Sequence, residues 1–477
     1  MTADTWRMGF HLMPPAGWLN DPNGLCFFRG EYHVFHQWSP TWPEPHAPRG
    51  WGHYTSRDLV HWEHHGMAIA QDCADDANGA YSGGAFIVPG AASDGGDLLR
   101  LYYTGNVKDP GEHDFVYEGR QANEILVETE DGYAMGPKQV LLRSADYPAY
   151  CSCHVRDPKI WSEDGALHML LGARTREDVG MMLVYRSEDG LAWELEGTVT
   201  SAEKLGYMWE CPDRIELDGH EYVGCCPQGV GEKPWSDGVG DHSGYLPVPE
   251  GASISASPVL DGDSFVRWDH GFEFYAPQSF VDGSGRAILI GWMGMPEDWF
   301  VGQPEELDWI HCLTVPRALT RCEDGLIAQA PVAELEGLRG EKVALEAESN
   351  SPVRVAALAE HRADLVLEGI EGALTVVLDG ALEVRCNASG EGCEIAFTDE
   401  KVAAGRTSRR CALECVRDLR VLVDSSAVEV YANGGRMVFS TRWFPVNEQL
   451  SVSIEGKVAE ESLYPMGSGM PAPASAR

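Results

Sequence analysis

The most informative stretch of this chain reads Gly17-Trp18-Leu19-Asn20-Asp21-Pro22-Asn23-Gly24. The proline after Asp21 disfavours the helical conformation of that residue and removes one backbone donor. Asn23-Gly24 is a common turn pair, and the apolar run 25–28 that follows it predicts a strand. We therefore expect Asp21 to lie at the mouth of a sheet, where a carboxylate held by the backbone suits a nucleophile. Both dipeptides are also frequent in ordinary turns, so this stretch alone leaves a purely structural role open.

Further blocks follow this stretch in the order of a known family's motifs. They are Trp51-Gly52-His53, Arg156-Asp157-Pro158, Glu210-Cys211-Pro212-Asp213, Phe274-Tyr275-Ala276-Pro277-Gln278, Gly291-Trp292-Met293-Gly294 and Leu313-Thr314-Val315-Pro316-Arg317. With these blocks in register, the chain resembles the β-fructofuranosidases of glycoside hydrolase family 32, from about residue 7 to residue 465.

Composition limits the classes of function. The chain has 477 residues, 44% of them hydrophobic and 9% aromatic, which is enough for roughly two or three folded domains. Its 74 acidic residues outnumber its 36 Lys and Arg residues and give a net charge of −38. Nucleic acids and anionic membrane surfaces attract basic patches, so neither is expected as a partner. The resemblance implies a small sugar as the partner, and a homo-oligomer remains open.

The N-terminus and the cysteines predict a cytoplasmic protein. Residues 1–7 contain no apolar signal segment, and no apolar run has the length of about 18 residues that a transmembrane helix needs. The 13 cysteines are odd in number and irregularly spaced, which indicates free thiols in a reducing compartment. Cys151, Cys153 and His154 raise the alternative of a zinc site, but their spacing is unusual and no second cysteine pair supplies a fourth ligand. We expect neither a metal nor another cofactor.

Short strands separated by turns dominate the first 320 residues. Examples are Glu31–Gln37, Leu98–Tyr103 and Ala287–Trp292. A weak repeat is visible in Ser56-Arg57-Asp58 and Ser187-Glu188-Asp189, and Thr129-Glu130-Asp131 echoes it. Repeated turns of this kind suggest sheets arranged radially, and roughly 60 residues per sheet gives about five blades. An all-β sandwich is the alternative, although this region is long for one.

The resemblance implies the same all-β architecture, a five-bladed β-propeller followed by a C-terminal β-sandwich. We expect the propeller over residues 1–325, a linker with a short helix over 326–340, the sandwich over 341–465 and a flexible tail over 466–477. Alternating residues in 420–431, followed by Asn433-Gly434-Gly435, predict paired strands and a hairpin turn in the sandwich.

Three carboxylates are the candidate catalytic groups. Cleavage of a glycosidic bond with retention needs a nucleophile and an acid/base about 5–5.5 Å apart. Asp21 is the predicted nucleophile, and Glu210 is the predicted acid/base because the aromatic segment 206–212 around it favours a neutral acid by desolvation. A solvated glutamate at a strand end is the alternative for Glu210. By resemblance, Asp157 binds two hydroxyls of the fructosyl ring and stabilises the transition state.

The remaining pocket residues are assigned by resemblance. Asn20 and Gln37 would bind ring hydroxyls, and Arg156 would contact the substrate, although a structural ion pair is its alternative. Trp51, Tyr81 and Trp292 would form apolar walls, although each could instead belong to the propeller core. Ser82 and Tyr275 complete the expected substrate-binding set.

The expected substrates are sucrose, sucrose 6-phosphate or short fructo-oligosaccharides, because the blocks near residues 10–15 and 269–275 look like those of bacterial intracellular members. A phosphorylated substrate would need basic donors at the rim of the pocket. The candidates are Arg49, His46, Lys108 and Arg120. Three other functions remain open: a fructosyltransferase, a related inverting arabinosidase with more widely spaced carboxyl groups, and a non-catalytic fructan-binding protein.

Overall fold

Five mainly antiparallel sheets follow one another between Gly17 and Pro331 in the computed structural model, which describes residues 6–236, 239–296, 307–347, 351–412 and 414–471. The first sheet contains β1 (Gly17–Phe28), β2 (Glu31–Ser39), β3 (Gly50–Ser56) and β4 (Trp62–Ile69). The second contains β5 (Ala80–Val88), β6 (Leu98–Lys108), β7 (Arg120–Thr129) and β8 (Gln139–Leu142). The third contains β9 (Cys151–Glu163), β10 (Ala166–Thr175), β11 (Gly180–Ser187) and β12 (Glu194–Ser201). The fourth contains β13 (Met208–Leu217), β14 (His220–Gln228), β15 (Gly244–Pro247) and β17 (Val266–Arg267), and β16 (Val259–Leu260) pairs with β12.

The fifth sheet brings the chain back to the first. It contains β18 (Tyr275–Val281), β19 (Ala287–Met293), β22 (Arg317–Arg321) and β23 (Ile327–Pro331); β20 (Trp309–Ile310) pairs with β1, and β21 (Cys312–Leu313) pairs with β19. The first strands of the five sheets contact one another in the order β1, β5, β9, β13, β18, and β18 contacts β1 again. This closed ring agrees with the predicted five-bladed propeller, with the first strand of every sheet at the axis.

The predicted turn repeat is present in the structure. Ser56, Thr129 and Ser187 each end the third strand of a sheet. Two residues further on, an aspartate accepts hydrogen bonds from the backbone: Asp58 from residues 60 and 61, and Asp189 from residues 191 and 192. These aspartates satisfy the backbone donors of the turn, which explains why the same residue types recur between the third and fourth strands.

The first strand corrects one prediction. Asn23-Gly24 does not make a turn, because β1 runs without interruption from Gly17 to Phe28. Its pairing with β2 is irregular between Asn23 and Cys26, and Gly24 adopts a φ of +54°. A glycine suits such an irregularity as well as it suits a turn, so the sequence pattern did not distinguish the two.

Two further sheets form the C-terminal β-sandwich. The first contains β24 (Glu346–Ala347), β25 (Val353–Leu358), β34 (Leu450–Lys457), β27 (Glu371–Leu378), β28 (Leu382–Cys386), β29 (Cys393–Phe397) and β30 (Ser408–Cys411). The second contains β33 (Met437–Arg442), β32 (Ala427–Ala432), β31 (Asp418–Asp424), β26 (Arg362–Glu368) and β35 (Glu460–Pro465). Their inner faces share one apolar core, and a short helix α1 (Glu400–Ala403) lies beside it. The predicted paired strands and hairpin turn are β31, β32 and the turn that leads to β33.

A buried ionic network joins the propeller to the sandwich. Arg317 is fully buried and contacts Glu429 at 2.6 Å and Asp269 at 3.2 Å. The His11 ring donates from Nδ1 to Asp424 at 2.8 Å and from Nε2 to Glu429 at 2.9 Å. Burial lowers the pKa of His11, but these hydrogen bonds outweigh it and raise the pKa to about 9. Removing one partner of such a network leaves an uncompensated buried charge, which costs about 3–5 kcal/mol, so the network holds the two domains in one arrangement.

The segment between the domains contains a short helix, and the first residues of the predicted tail contact the N-terminal segment. A 3₁₀ helix spans Ala333–Leu338, within the predicted linker. The backbone of Gly469 and Met470 donates to the carbonyl of Gly9 at 2.8 and 3.0 Å. The first part of the predicted tail is therefore attached to the propeller, while residues 472–477 lie outside the described residues. Within the described ranges, no helix combines the length and apolar character needed to cross a bilayer.

Candidate active site

A cleft of about 540 Å³ opens where the first strands of the five sheets converge. Its lining includes side chains from β1, β5, β9, β13 and β18. The lining residues are Trp18, Asn20, Asp21, Gln37, Arg49, Tyr81, Ser82, Arg120, Arg156, Asp157, Glu210, Cys211, Gln228, Tyr275, Trp292 and Pro296. The three predicted catalytic carboxylates thus share one cleft, although they are far apart in sequence.

The first strand of each of the five sheets departs from regular pairing beside a residue of the cleft. Register shifts occur in β1 after Leu19, in β5 after Ala80, in β9 after Arg156, in β13 after Glu210 and in β18 after Tyr275. A β-bulge bends the strand and re-aims the side chains beside it. The five bulges therefore explain how side chains from neighbouring positions of these strands reach a common cleft.

Three of these bulges contain residues in the left-handed region. Asp157 has a φ of +67°, Cys211 of +46° and Ala276 of +47°. Residues other than glycine adopt this conformation at a cost of about 1–3 kcal/mol, and they do so chiefly where the surrounding structure enforces it. At Asp157 the backbone N–H donates to the Thr104 hydroxyl at 3.0 Å, which helps to fix the strained residue.

Asp21 is held by its neighbours on two sides. The Ser82 hydroxyl donates to one carboxylate oxygen at 2.5 Å, and the Asn20 amide donates to the other at 3.0 Å. Burial raises the pKa of Asp21 to about 6, and the charge of Glu210 adds to the rise, while the Ser82 hydrogen bond opposes it. Asp21 is therefore ionised at neutral pH and is oriented by two donors, as a nucleophile requires.

Asp157 lies beneath the same cleft. Its carboxylate accepts the backbone N–H of Cys211 at 2.9 Å and lies 4.0 Å from the Arg156 guanidinium. Burial raises the pKa of Asp157 to about 7; the charge of Arg156 lowers it, and the charges of Glu210 and Asp21 raise it. The cleft thus concentrates negative charge within a mostly buried setting.

Glu210 corrects another prediction. The expected apolar and aromatic surroundings are wrong for its carboxylate, because Trp209 is fully buried in the core of the sheets. The carboxylate instead accepts two hydrogen bonds from Arg156, at 2.6 and 3.1 Å, and one from the Tyr275 hydroxyl at 2.8 Å. Arg156 and Tyr275 therefore fix the position of the predicted acid/base. Arg156 makes the ion pair that was the alternative to a substrate contact, and it also lines the cleft.

Two of the three predicted wall residues lie along the cleft. Tyr81 and Trp292 line the cleft, but Trp51 does not. The Trp51 ring is fully buried among the apolar side chains between the first two sheets, and its indole N–H donates to the Tyr81 carbonyl at 2.9 Å. Trp51 supports the backbone that carries Tyr81 and is not itself a wall. Gln37 lines the cleft while its amide donates to the Ala80 carbonyl at 2.8 Å.

Several lining residues were not predicted. Trp18 lies near Trp292, with ring centroids 6.3 Å apart and ring planes tilted by 55°, and its indole N–H donates to Asn20 at 3.1 Å. Cys211 and Gln228 also line the cleft. Trp18 and Cys211 lie within blocks that the sequence singled out, directly beside predicted residues, and this proximity was the available signal. Gln228 lies at the end of β14, and its position follows only from the pairing of Met208 with it.

The basic candidates divide into two groups. Arg49 and Arg120 line the cleft, whereas His46 and Lys108 are not among its lining residues. His154 of the considered zinc set contacts Arg156, Arg120 and the Phe115 carbonyl. All thirteen cysteines are free thiols.

Comparisons with known proteins find relatives along nearly the whole chain. A model of the glycosyl hydrolases family 32 N-terminal domain matches residues 11–331, and a model of the family 32 C-terminal domain matches residues 382–463. The sucrose-6-phosphate hydrolase of Bacillus subtilis is 34% identical over 469 residues, which cover 95% of this chain and 93% of that protein. The raffinose invertase of Escherichia coli is 33% identical, over 95% of this chain and 92% of that protein.

Solved structures show the same likeness. The sucrose-6-phosphate hydrolase of Lactobacillus gasseri superposes with a TM-score of 0.84 at 28% identity, covering 98% of this chain and 94% of that one. A mutant family 32 β-fructofuranosidase of Bombyx mori, in complex with sucrose, gives a TM-score of 0.80 at 25% identity, over 98% of this chain and 96% of that one.

Proposed function

This chain belongs to glycosyl hydrolase family 32, and we propose that it is a β-fructofuranosidase that hydrolyses sucrose, sucrose 6-phosphate or short fructo-oligosaccharides with retention of configuration. The observation that carries the proposal is the convergence of Asp21, Asp157 and Glu210 on one cleft at the propeller axis. Relatives named sucrose-6-phosphate hydrolase and raffinose invertase along nearly the whole chain support the substrate class.

In the first step, the ionised carboxylate of Asp21 attacks the anomeric carbon of the fructosyl unit. Glu210 gives a proton to the glycosidic oxygen, so the leaving sugar departs as a neutral alcohol and a fructosyl ester of Asp21 forms. The hydrogen bonds from Ser82 and Asn20 orient the attacking carboxylate.

In the second step, Glu210 removes a proton from a water molecule, which attacks the same anomeric carbon and releases Asp21. Two inversions at one carbon return the original configuration. Arg156 and Tyr275 hold the Glu210 carboxyl through both steps, so the acid and the base act from one position.

Asp157 is proposed to bind hydroxyls of the fructosyl ring. Its backbone is fixed by Thr104 and its carboxylate by Cys211, so little reorganisation is needed when positive charge develops on the ring. Preorganised groups of this kind stabilise the transition state more than the ground state. Trp292 and Tyr81 supply apolar surfaces against which the C–H faces of a sugar pack.

A fructosyltransferase on the same scaffold is the second candidate. It would share the first step and differ in the acceptor that attacks the ester. The relatives named as hydrolases and an invertase favour water as the acceptor. Equal release of glucose and fructose from sucrose is expected; an excess of glucose over fructose would indicate transfer.

We further propose that the protein acts in the cytoplasm and that its propeller ends at Pro331, beyond the expected boundary at residue 325, because β23 pairs with β22 in the fifth sheet. The thirteen free thiols support a reducing compartment. The end of β23 at Pro331 and the start of β24 at Glu346 support a domain boundary within the helical segment between them.

The test is the substitution Asp21→Asn, assayed by release of glucose and fructose from sucrose and sucrose 6-phosphate. An amide does not form the ester, so we expect a loss of at least about a thousandfold in kcat. The matched control is Asp164→Asn, an exposed turn residue with a φ of +49°, a conformation that asparagine also accepts. Near-normal turnover by a folded Asp21→Asn protein would contradict the proposal.

A further inference from the structure

We propose that Arg120, with Arg49 on the same rim, forms an anion subsite that binds a phosphate group on the leaving sugar, so that sucrose 6-phosphate is preferred over sucrose. This inference rests on the proposed function and names the substrate within its class. Both arginines line the cleft that contains the three carboxylates.

The guanidinium of Arg120 has few hydrogen-bond acceptors around it. An arginine offers five N–H donors and accepts no hydrogen bond. In the described part of the chain, Arg120 makes no ion pair, its buried Nε has no hydrogen-bond partner, and its Nη2 reaches the Tyr81 hydroxyl only at 3.4 Å. Leaving such donors unsatisfied is costly unless a ligand supplies acceptors.

The remaining contact of Arg120, to His154, does not satisfy it either. Arg156 donates to His154 Nδ1 at 2.7 Å, so that nitrogen carries no hydrogen. Burial, with the charges of Arg156 and Arg120, lowers the pKa of His154 to about 2, so the imidazole is neutral and its hydrogen lies on Nε2. Nε2 then donates to the Phe115 carbonyl at 3.1 Å. The Nη1 of Arg120 lies 3.1 Å from this Nε2 and therefore faces another donor.

Arg49 adds a second cation to this rim. Its guanidinium makes no ion pair or hydrogen bond with the residues that the structure describes. Arg49 lines the same cleft as Tyr81 and Arg120, and the Arg120 guanidinium lies 5.9 Å from the centroid of the Tyr81 ring. Two arginines without acidic partners among the described residues therefore line one cleft, in a chain whose net charge is −38.

A phosphate monoester matches this arrangement. It is a dianion near neutral pH with three acceptor oxygens, and guanidinium groups bind it in the bidentate geometry that a single sugar hydroxyl cannot reproduce. A chain of contacts runs from Arg120 through His154 and Arg156 to Glu210. Since Glu210 protonates the leaving oxygen, this side of the cleft faces the leaving sugar, whose phosphate would reach Arg120.

The kinetic test compares kcat/KM for sucrose 6-phosphate and sucrose. We expect the wild-type ratio to exceed about ten, and Arg120→Gln to lower that ratio by at least about tenfold, chiefly through KM for the phosphorylated sugar. Arg49→Gln should lower it less. Arg410→Gln is the matched control, since Arg410 contacts Ser389 in the sandwich and its loss removes the same charge away from the cleft. A wild-type ratio near one, or an unchanged ratio in Arg120→Gln, overturns the subsite.

A binding test separates this inference from the proposed function. Calorimetry on Asp21→Asn should show tighter binding of sucrose 6-phosphate than of sucrose, and the difference should vanish in Asp21→Asn/Arg120→Gln. Inorganic phosphate should bind more weakly than the sugar phosphate; equal affinity would mean a site for free phosphate and would refute recognition of the leaving sugar. If the wild-type protein cleaves neither sugar, the proposed function fails, yet Arg120-dependent binding of sucrose 6-phosphate would still support the subsite.

Discussion

Replacing the proposed nucleophile should stabilise the protein while it destroys activity. Burial raises the pKa of Asp21 from 3.8 to about 6. The folded state therefore binds the proton of the Asp21 carboxyl more tightly than the unfolded state does. The stability that this proton contributes to the folded state is lost as the pH rises. At 1.36 kcal/mol per pH unit, the charged Asp21 costs up to about 3 kcal/mol above pH 7. Because the carboxylate still faces the water of the cleft, and because asparagine accepts a weaker hydrogen bond from Ser82, we expect Asp21→Asn to gain only about 1–2 kcal/mol at pH 8.

The pH dependence distinguishes this explanation from a general effect of the substitution. At pH 5 most of the folded wild-type molecules already carry the proton, so the gain should be smaller than at pH 8 by roughly 1 kcal/mol. Urea unfolding followed by tryptophan fluorescence at both pH values measures the difference, and Asp164→Asn should show none. An Asp21→Asn protein that is less stable than wild type at pH 8, or a gain that is the same at both pH values, would refute the reasoning.

Three further outcomes are expected. First, kcat/KM should fall as the pH drops through about 6 to 7, because Asp21 and Asp157 take up protons there and both are needed as anions. The apparent pKa values of this profile belong to the coupled pair of carboxylates. A profile that is flat down to about pH 4.5 would contradict this prediction. Second, Arg156→Lys should lower kcat by about 10–100-fold, because lysine cannot reproduce the two contacts to Glu210, and unchanged steady-state kinetics would remove the positioning role. Third, activity should be unaffected by EDTA and by reductant; a loss that added zinc restores would revive the metal alternative for Cys151 and its neighbours.

The sequence predicted which carboxylates converge on the cleft better than it predicted their surroundings. Asp21, Asp157 and Glu210 lie in short blocks with distinctive neighbours, and these blocks revealed both the family and the propeller. The bulges that re-aim these side chains are not readable from the blocks, because a bulge is defined by pairing with a partner strand. The strand through Asn23-Gly24 was missed for the same reason.

The sequence also did not predict which side chains are buried or which hydrogen-bond partners they have. Glu210 follows an aromatic residue, yet alternate residues of a strand face opposite sides, so Trp209 points to the core while Glu210 meets Arg156. Trp51 was expected as a wall because of its block, but all residues of β3 are buried and Trp51 packs within an apolar cluster. The unsatisfied Nη1 donor of Arg120 follows from the tautomer of His154, which depends on contacts with Arg156 and the Phe115 carbonyl.

The central claim is that Asp21 and Glu210 cleave β-fructosides by double displacement, and methanolysis tests it most directly. Sucrose is incubated with the enzyme in dilute methanol, and the methyl fructoside that forms is identified by ¹³C NMR at the anomeric carbon. Methanol traps the fructosyl ester before the product can equilibrate in water. The mechanism predicts methyl β-D-fructofuranoside, formed by the wild-type protein and absent with Asp21→Asn. Formation of the α anomer, or of equal product by Asp21→Asn, would contradict it.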